Sequence, residues 1–386
     1  MSGNPALKLY FVVGETSGDT LGADLIDSFG QMGRTVEAMG LGGPKLQARG
    51  LSPLFDSSEI AVMGLSGVVA KLPSLLAKAR QVARDVIERR PDVLLLIDSP
   101  EFAKQVAKRV KARLPDLPVV KYVCPTVWSW RPGRAPAMRA YVDHVLAILP
   151  FEPDVMRELG GPATTYVGHP LSRLAGKTDL AKKLRPASEP SVLLLPGSRR
   201  SEASRLLPVL RETAELMAAR GGVMRFVLPA VPHLETEIRR SVAAWQVKPE
   251  IVTGEAEKFT AMEGADAAIA ASGTALLELA MYGIPMVSVY KLDPAINALR
   301  FMIKGWTAAL PNLIADKVVV PERFNEYANP QYLARLALEL AADSPERRAQ
   351  IEGFKRVHAR MQQDEPPGML CARIILQLAG GNKKGA

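Results

Sequence analysis

Gly168 to Gly197 reads GHPLSRLAGKTDLAKKLRPASEPSVLLLPG. Through Pro190 the stretch is polar, basic and punctuated by proline, the composition of a connection rather than of an element. At Ser191 it turns into an apolar strand, SVLLL, closed by Pro-Gly. A chain that starts a new buried strand after such a connection is starting a new lobe. Outward on both sides the same alternation holds. Apolar runs suited to strands lie at Leu7–Val13, Val93–Ile97, Val119–Val123 and Val145–Leu149, then at Val192–Leu195, Arg225–Leu228, Ala267–Ala270 and Met286–Val289. Between them, Phe102–Leu114, Arg205–Ala219 and Thr274–Tyr282 space their apolar residues by three and four, as helices do. Strands apolar on both faces and alternating with helices predict parallel sheets covered on both sides. The expectation is α/β: two doubly wound, Rossmann-like domains in tandem, residues 1–171 and 172–344, with a cleft between them and a helical segment, 345–386, behind.

A length of 386 residues exceeds what one core usually serves. A hydrophobic content of 48% with only 6% aromatics suits sheets built from Val, Leu, Ile and Ala. Cys124 and Cys371 stand far apart in no metal-ligand or CxxC pattern, which argues against a disulfide framework and for a reducing compartment. The start, MSGNPALKLYFVV, lacks the basic and apolar regions of a signal peptide, and no run of 18 apolar residues occurs. The expected location is therefore cytoplasmic. Net charge is +9, and it is unevenly placed: Lys71 to Arg139 holds 15 Lys and Arg against 6 Asp and Glu. A basic patch in a chain that is neutral elsewhere predicts a polyanionic surface partner.

In open α/β sheets ligands sit at the carboxyl ends of strands, so the loops there are the candidate sites. The first, Gly14-Glu15-Thr16-Ser17-Gly18-Asp19, opens a helix after LYFVV. It is neither GxGxxG nor a P-loop, and Ser17 or Asp19 could equally be a simple helix cap. The second, Pro196-Gly197-Ser198-Arg199-Arg200, ends a strand in small residues and two arginines, suited to a diphosphate. In the third, Ser272-Gly273-Thr274 starts a helix whose N–H and hydroxyl groups could hold a phosphate, and Glu278 follows one turn on, where a carboxylate could accept ribose hydroxyls. The fourth is Asp98, closing VLLLID before Ser99-Pro100: a strand-end carboxylate suited to general base, or a cap for the helix that Pro100 begins. No DxD or HExxH occurs and the four histidines, His144, His169, His233 and His358, are widely spaced, so the sequence predicts neither metal nor cofactor. Leaving-group charge then falls to Arg199 and helix starts.

Glu59 to Arg90 reads EIAVMGLSGVVAKLPSLLAKARQVARDVIERR. Leu72, Leu75, Leu76, Ala79, Val82 and Val86 share one helical face, flanked by Lys71, Lys78, Arg80 and Arg84, behind a glycine-rich apolar run that includes Val62, Met63, Leu65, Val68 and Val69. Such a helix could lie in a bilayer interface, or simply pack on a sheet. Trp128-Ser129-Trp130-Arg131 favours the former, since Trp130 and Arg131 suit sugar stacking, phosphate contacts or interfacial anchoring. No nucleic-acid-binding motif accompanies them, so no nucleic-acid partner is expected.

Taken in order, GETSGD, EIAVMG, LLLIDSPEF, VWSWR, LPFE, VGHP, LLPGSR, ASGTALLE and PNLI span Gly14 to Ile314, and in them the sequence resembles the lipid-A-disaccharide synthases. The resemblance implies a GT-B fold and a reaction joining UDP-2,3-diacylglucosamine to 2,3-diacylglucosamine 1-phosphate through a β(1→6) bond, with release of UDP. It implies that Asp98 deprotonates the acceptor 6-hydroxyl, that Arg199 and Ser272–Thr274 hold the diphosphate, and that Glu278 holds the ribose. Glu15, with Ser17 and Gly18 in its loop, and Asn312, Glu322 and Asn325 are implied as further cleft residues. Val62–Leu76 would take acyl chains and touch the inner membrane. The segment from Pro345 would return to the first lobe and, exchanged between protomers, make a homodimer. Two other readings stay open: another UDP-N-acetylglucosamine-using GT-B transferase or epimerase, such as the muramyl-pentapeptide transferase, and a non-catalytic nucleotide-sugar or lipid-binding protein in which Asp98 is only a cap.

Overall fold

A computed structural model of the chain describes residues 5–56, 59, 65–292 and 305–381, without the side chains of 65–72. It divides into two units, Met1–His169 with Gln363–Ala386, and Pro170–Gln362.

The first unit runs β1 (Leu7–Val13), α1 (Thr16–Gln31), β2 (Val36–Leu41), α2 (Pro44–Gln47), β3 (Ser52–Pro53), α3 (Leu65–Arg89), β4 (Val93–Ile97), α4 (Pro100–Lys111), β5 (Val119–Tyr122), α5 (Arg134–Met138), β6 (His144–Ala147), α6 (Glu152–Glu158) and β7 (Ala163–Tyr166). Among the described residues its strands form a parallel seven-stranded sheet, β3-β2-β1-β4-β5-β6-β7. The chain steps outward from β1 to β3 and then crosses back to β4 on the other side of β1. Val13 pairs with Ile97, so the loops after β1 and β4 emerge side by side at the point where the strand order reverses. That reversal opens a crevice at the strands' carboxyl ends.

The second unit repeats the plan: β8 (Ser191–Leu195), α7 (Arg200–Gly221), β9 (Arg225–Ala230), α8 (Glu235–Ala243), β10 (Glu250–Thr253), α9 (Glu255–Glu263), β11 (Ala267–Ala271), α10 (Thr274–Met281), β12 (Met286–Tyr290), α11 (Leu310–Ala315), β13 (Glu322–Phe324), α12 (Pro330–Ala341) and α13 (Pro345–Met361). Its parallel sheet is ordered β10-β9-β8-β11-β12-β13, again with a reversal, here between β8 and β11.

The sheet centres match the sequence reading because β4, β8 and β11 are buried at every position, as strands covered on both faces must be. The strands with no continuous apolar run, β3, β7, β10 and β13, are the edges, where fewer neighbours cover the chain. The expected C-terminal segment divides differently. α13 stays with the second unit: Gln350 donates to the carbonyls of Met286 (3.0 Å) and Val319 (3.2 Å), and Phe354 is fully buried. The return to the first sheet starts at Gln363 rather than Pro345. It is made by α14 (Pro367–Gly381), whose Cys371, Ala372, Ile375 and Ala379 pack into one core with Leu21, Leu25 and Phe29 of α1.

From Leu75 onward α3 is a core helix. Ala79, Val82 and Val86 are buried against the first sheet, with Leu75 partly buried beside them. Burying a Val or Leu is worth about 1.5–3 kcal/mol, so this half of the apolar stripe faces the protein. Leu75 therefore leaves the expected acyl-binding set, and Leu76 is half-buried. Val62 and Met63 lie outside the described residues, as do the side chains of Leu65, Val68, Val69 and Leu72. Among the described residues no helix is long and apolar enough to cross a membrane.

Candidate active site

Asp98 follows directly on β4, and its backbone is left-handed (φ 56°), as is that of Ser99 (φ 41°). Two successive non-glycine residues there are strained, a state held only where the surroundings impose it. The N-cap of α4 is Ser99, and its side chain accepts no capping hydrogen bond from the helix amides. Half-buried Asp98 instead accepts a hydrogen bond from the Ser17 hydroxyl (3.2 Å) in the loop after β1. Gly18 makes the approach possible, since a Cβ there would stand 2.8 Å from Asp98 Oδ2 and 3.0 Å from Val13 Cγ1.

From below, Lys121 of β5 donates its ammonium to the Asp98 carbonyl at 2.5 Å. Only 4% exposed, its side chain is pushed down to about 8 by burial, against the pull of Asp98, Cys124 and Glu15, which favour its charge. The sequence carried a signal for it, a lone lysine inside the apolar run VVKYV. Glu15 is the exposed N-cap of α1, and its side chain does not cap that helix. Asp19, by contrast, is structural: it is buried and accepts from the amides of Gly43 (2.8 Å), Lys45 (2.8 Å) and Leu46 (3.1 Å), capping α2 rather than its own helix.

Of the two tryptophans, Trp128 packs edge-on against Phe151 with ring centres 5.1 Å apart. Trp130 is half-buried, and Arg131 is exposed with a left-handed backbone (φ 52°). Glu152 of LPFE is scaffold: 1% exposed, it accepts the amides of Ile148 (3.1 Å) and Leu149 (2.9 Å), and burial pushes its carboxyl up to about 8.

In the second unit the loops after β8 and β11 adjoin, because those strands are paired. Gly197 has φ 99°, and a Cβ on it would meet Glu202 Oε2 at 2.7 Å. That carboxylate is a residue the sequence did not flag. It is buried, holds Arg199 Nη1 at 2.8 Å and accepts the Tyr290 hydroxyl at 3.3 Å. The Arg199 side chain is otherwise 73% exposed, leaving donors of its fork open. His233, also unflagged, orders the loop through the Ser198 carbonyl (3.1 Å). At α10 the N-cap is Gly273 (φ 146°), with no capping side chain and open space beside it, and Gly273 and Thr274 are exposed. The first-turn amides of α10 thus have no capping side chain. Glu278 stands one turn on, but its Oε2 is held by Lys258 of α9 at 2.5 Å, leaving Oε1.

Three expected ligand residues are engaged within the second unit. Asn312 is 1% exposed; its amide donates to Thr307 (3.1 Å) and the Val320 carbonyl (2.9 Å) and accepts from Val319 (2.8 Å) and Val320 (2.7 Å). Its hydrogen-bonding capacity is filled, so it is scaffold and not a ligand residue. Glu322 is taken up by the Thr307 hydroxyl and the Ala308 amide (3.1 Å). Asn325, left-handed at φ 49°, holds the Leu292 amide at 2.8 Å. All three shape the backbone beside β12 and β13.

The sequence matches the model of a family described as lipid-A-disaccharide synthetase over residues 9–370. It is 43% identical to a lipid-A-disaccharide synthase of Bradyrhizobium diazoefficiens over 380 residues, 97% of each chain. It is 36% identical to that of Rhodospirillum centenum, covering 96% of this chain and 94% of the relative. Among solved structures it is similar in fold to MurG of Acinetobacter baumannii (15% identity, TM-score 0.63, 97% of this chain and 100% of that one). It is likewise similar to the UDP-GlcNAc 2-epimerase of Methanocaldococcus jannaschii, solved with UDP-GlcNAc and UDP (12% identity, TM-score 0.58, 96% and 100% covered). The fold is GT-B.

Proposed function

This chain belongs to the lipid-A-disaccharide synthase family, and on that premise we propose how its own residues carry out the transfer. It is a glycosyltransferase that forms the lipid A disaccharide from a UDP-sugar donor and a lipid acceptor. The donor is UDP-2,3-diacylglucosamine and the acceptor 2,3-diacylglucosamine 1-phosphate. Asp98 takes the proton of the acceptor 6-hydroxyl as that oxygen bonds to the donor's anomeric carbon. The bond from that carbon to the diphosphate oxygen breaks, its electron pair leaves on UDP, and the anomeric centre inverts. Glu15 adds a second carboxylate beside the base, and Ser17 orients Asp98.

One observation carries this reading: Asp98 is held by strain and by Lys121 at a switch point, and spends none of its side chain on capping its own helix. In the second unit Arg199 and the amides at the start of α10 balance the diphosphate charge, and Glu278 Oε1 takes a ribose hydroxyl. The M. jannaschii epimerase of the same fold, crystallised with UDP, supports a UDP site on this framework. Purified protein given both diacylglucosamine substrates releases UDP, and donor alone gives none; UDP release independent of the acceptor would refute the transfer.

The enzyme works at the cytoplasmic face of the inner membrane. The basic excess from Lys71 to Arg139 and the apolar run Val62–Leu72 support this. Replacing Val68, Val69 and Leu72 together by serine lowers co-flotation with anionic vesicles several-fold, with the melting temperature unchanged. Equal flotation would show that this segment is not the membrane contact.

A further inference from the structure

Beside Asp98 lies a small cavity in the first unit, lined by Leu96 and Pro100 on either side of it in sequence, by Lys121 beneath its carbonyl, and by Lys104, Arg134 and Tyr141. Its volume is about 40 Å³, more than twice the roughly 10–15 Å³ that one water needs on the same measure. Lys104, Lys121 and Arg134 make it cationic. The acid on its wall, Glu101, is 62% exposed in its side chain and stands 3.9 Å from Lys104 Nζ. Arg134 Nε is buried and has no hydrogen-bond partner among the described residues. A buried donor left unpaired costs about 1–3 kcal/mol, more on a charged group, so this guanidinium is placed for something the chain itself does not supply. Lys121 spends one of its three N–H groups on the Asp98 carbonyl.

We propose that this cavity is a phosphate-monoester subsite that takes the 1-phosphate of the acceptor sugar, gripped by Arg134 and Lys104 over Lys121. The guanidinium fork, two ammonium groups and a tyrosine hydroxyl suit a small dianion with several acceptor oxygens better than a carboxylate. The placing also suits the chemistry. With its phosphate end seated here, the acceptor spans one pyranose ring, and its 6-hydroxyl at the far end meets the Asp98 carboxylate. The subsite thereby orients the acceptor and selects phosphorylated over unphosphorylated glucosamine lipids. This rests on the proposed acceptor and on Asp98 as its base.

The test compares acceptors with and without the 1-phosphate, each titrated as substrate or, where turnover is too slow to follow, as inhibitor of the other. The preference of the unmodified enzyme for the phosphorylated acceptor falls at least tenfold in Arg134→Gln and a few-fold in Lys104→Gln, which keeps most of the volume of a side chain that is 31% exposed. Loss of both activities by one common factor, leaving the preference intact in both variants, overturns the subsite. Weaker binding of Arg134→Gln to phosphatidylglycerol vesicles with an unchanged acceptor preference also overturns it, and assigns the cavity to a bilayer headgroup. Should Asp98→Asn turn over normally, the base assignment fails while the acceptor preference still reports on the cavity.

Discussion

Asp98→Asn is expected to lower kcat about 10³-fold, inside the range of roughly 10²–10⁴ that a general base contributes, while UDP binding stays as it was. The substitution is nearly isosteric and keeps an acceptor for the Ser17 hydroxyl, so the loop after β1 has no reason to move. What it removes is the basic oxygen. Turnover within tenfold of the original would show that the proton leaves by another route, and that the strain at residues 98 and 99 serves only the fold. The buried lysine beneath gives a second readout of the same site. As pH rises through about 8, Lys121 loses its proton, and its charge-assisted bond to the Asp98 carbonyl weakens to a neutral one. Activity is expected to fall on that limb. Lys121→Arg, which keeps its charge, moves the limb to higher pH; a limb that stays in place would mean that Lys121 only fills space.

Arg347→Met is expected to destabilise the second unit by about 3–5 kcal/mol, the range found when one partner is removed from a buried ionic network, while leaving every proposed substrate contact untouched. Arg347 is the largest fully buried side chain among the described residues. It donates to the carbonyls of Lys183 (2.8 Å), Asp266 (2.7 Å) and Leu340 (2.7 Å), joining the lobe connection, the approach to β11 and the end of α12. The Asp266 carboxylate, 4.0 Å away, is the nearby counter-charge. That carboxylate is itself held by the amides of Ala187 (3.0 Å) and Ser191 (2.9 Å), so the network fastens the first strand of the sheet. Methionine fills the volume but leaves three carbonyl acceptors without their donor and the Asp266 carboxylate without its nearby positive charge. At about 2–4 °C per kcal/mol for a domain of this size, the loss amounts to roughly ten degrees in melting temperature. Arg348→Met, one residue on and paired only with exposed Asp343, serves as control and should shift it by about 0.5 kcal/mol at most. A shift no larger for Arg347→Met would mean that water replaces the guanidinium.

Much of this was legible in the residues alone, and for local reasons. Strands buried on both faces must be apolar throughout, so the sheet centres and the division near Gly168–Pro190 stand out. Ligand loops follow the carboxyl ends of such strands, so Asp98, Arg199 and Ser272–Thr274 stand out as candidates. Whether Asp98 capped its helix or stood free could not be decided there, because both readings need the same residue at the same place. Only the left-handed backbone at 98 and 99 and the reach of Ser17 from the neighbouring strand separate them.

The polar partners that the sequence did not show share one cause. Asn312, Glu322 and Asn325 read as ligand residues, yet they hold backbone groups and the Thr307 hydroxyl, which the chain around β12 and β13 brings alongside. Glu278 sits on the predicted face but meets a lysine twenty positions earlier, on another helix. Arg347 looks like one more charge in the first turn of a helix, and its carbonyl partners lie 164, 81 and 7 positions away. Sequence pattern gave away the buried central strands, the alternation with helices and the strand ends where ligand loops start, since those follow from the burial of nearby apolar side chains. The partner of each long polar side chain was left to the tertiary structure, because a hydrogen bond depends on which distant backbone arrives within about 3 Å, and no local spacing records that.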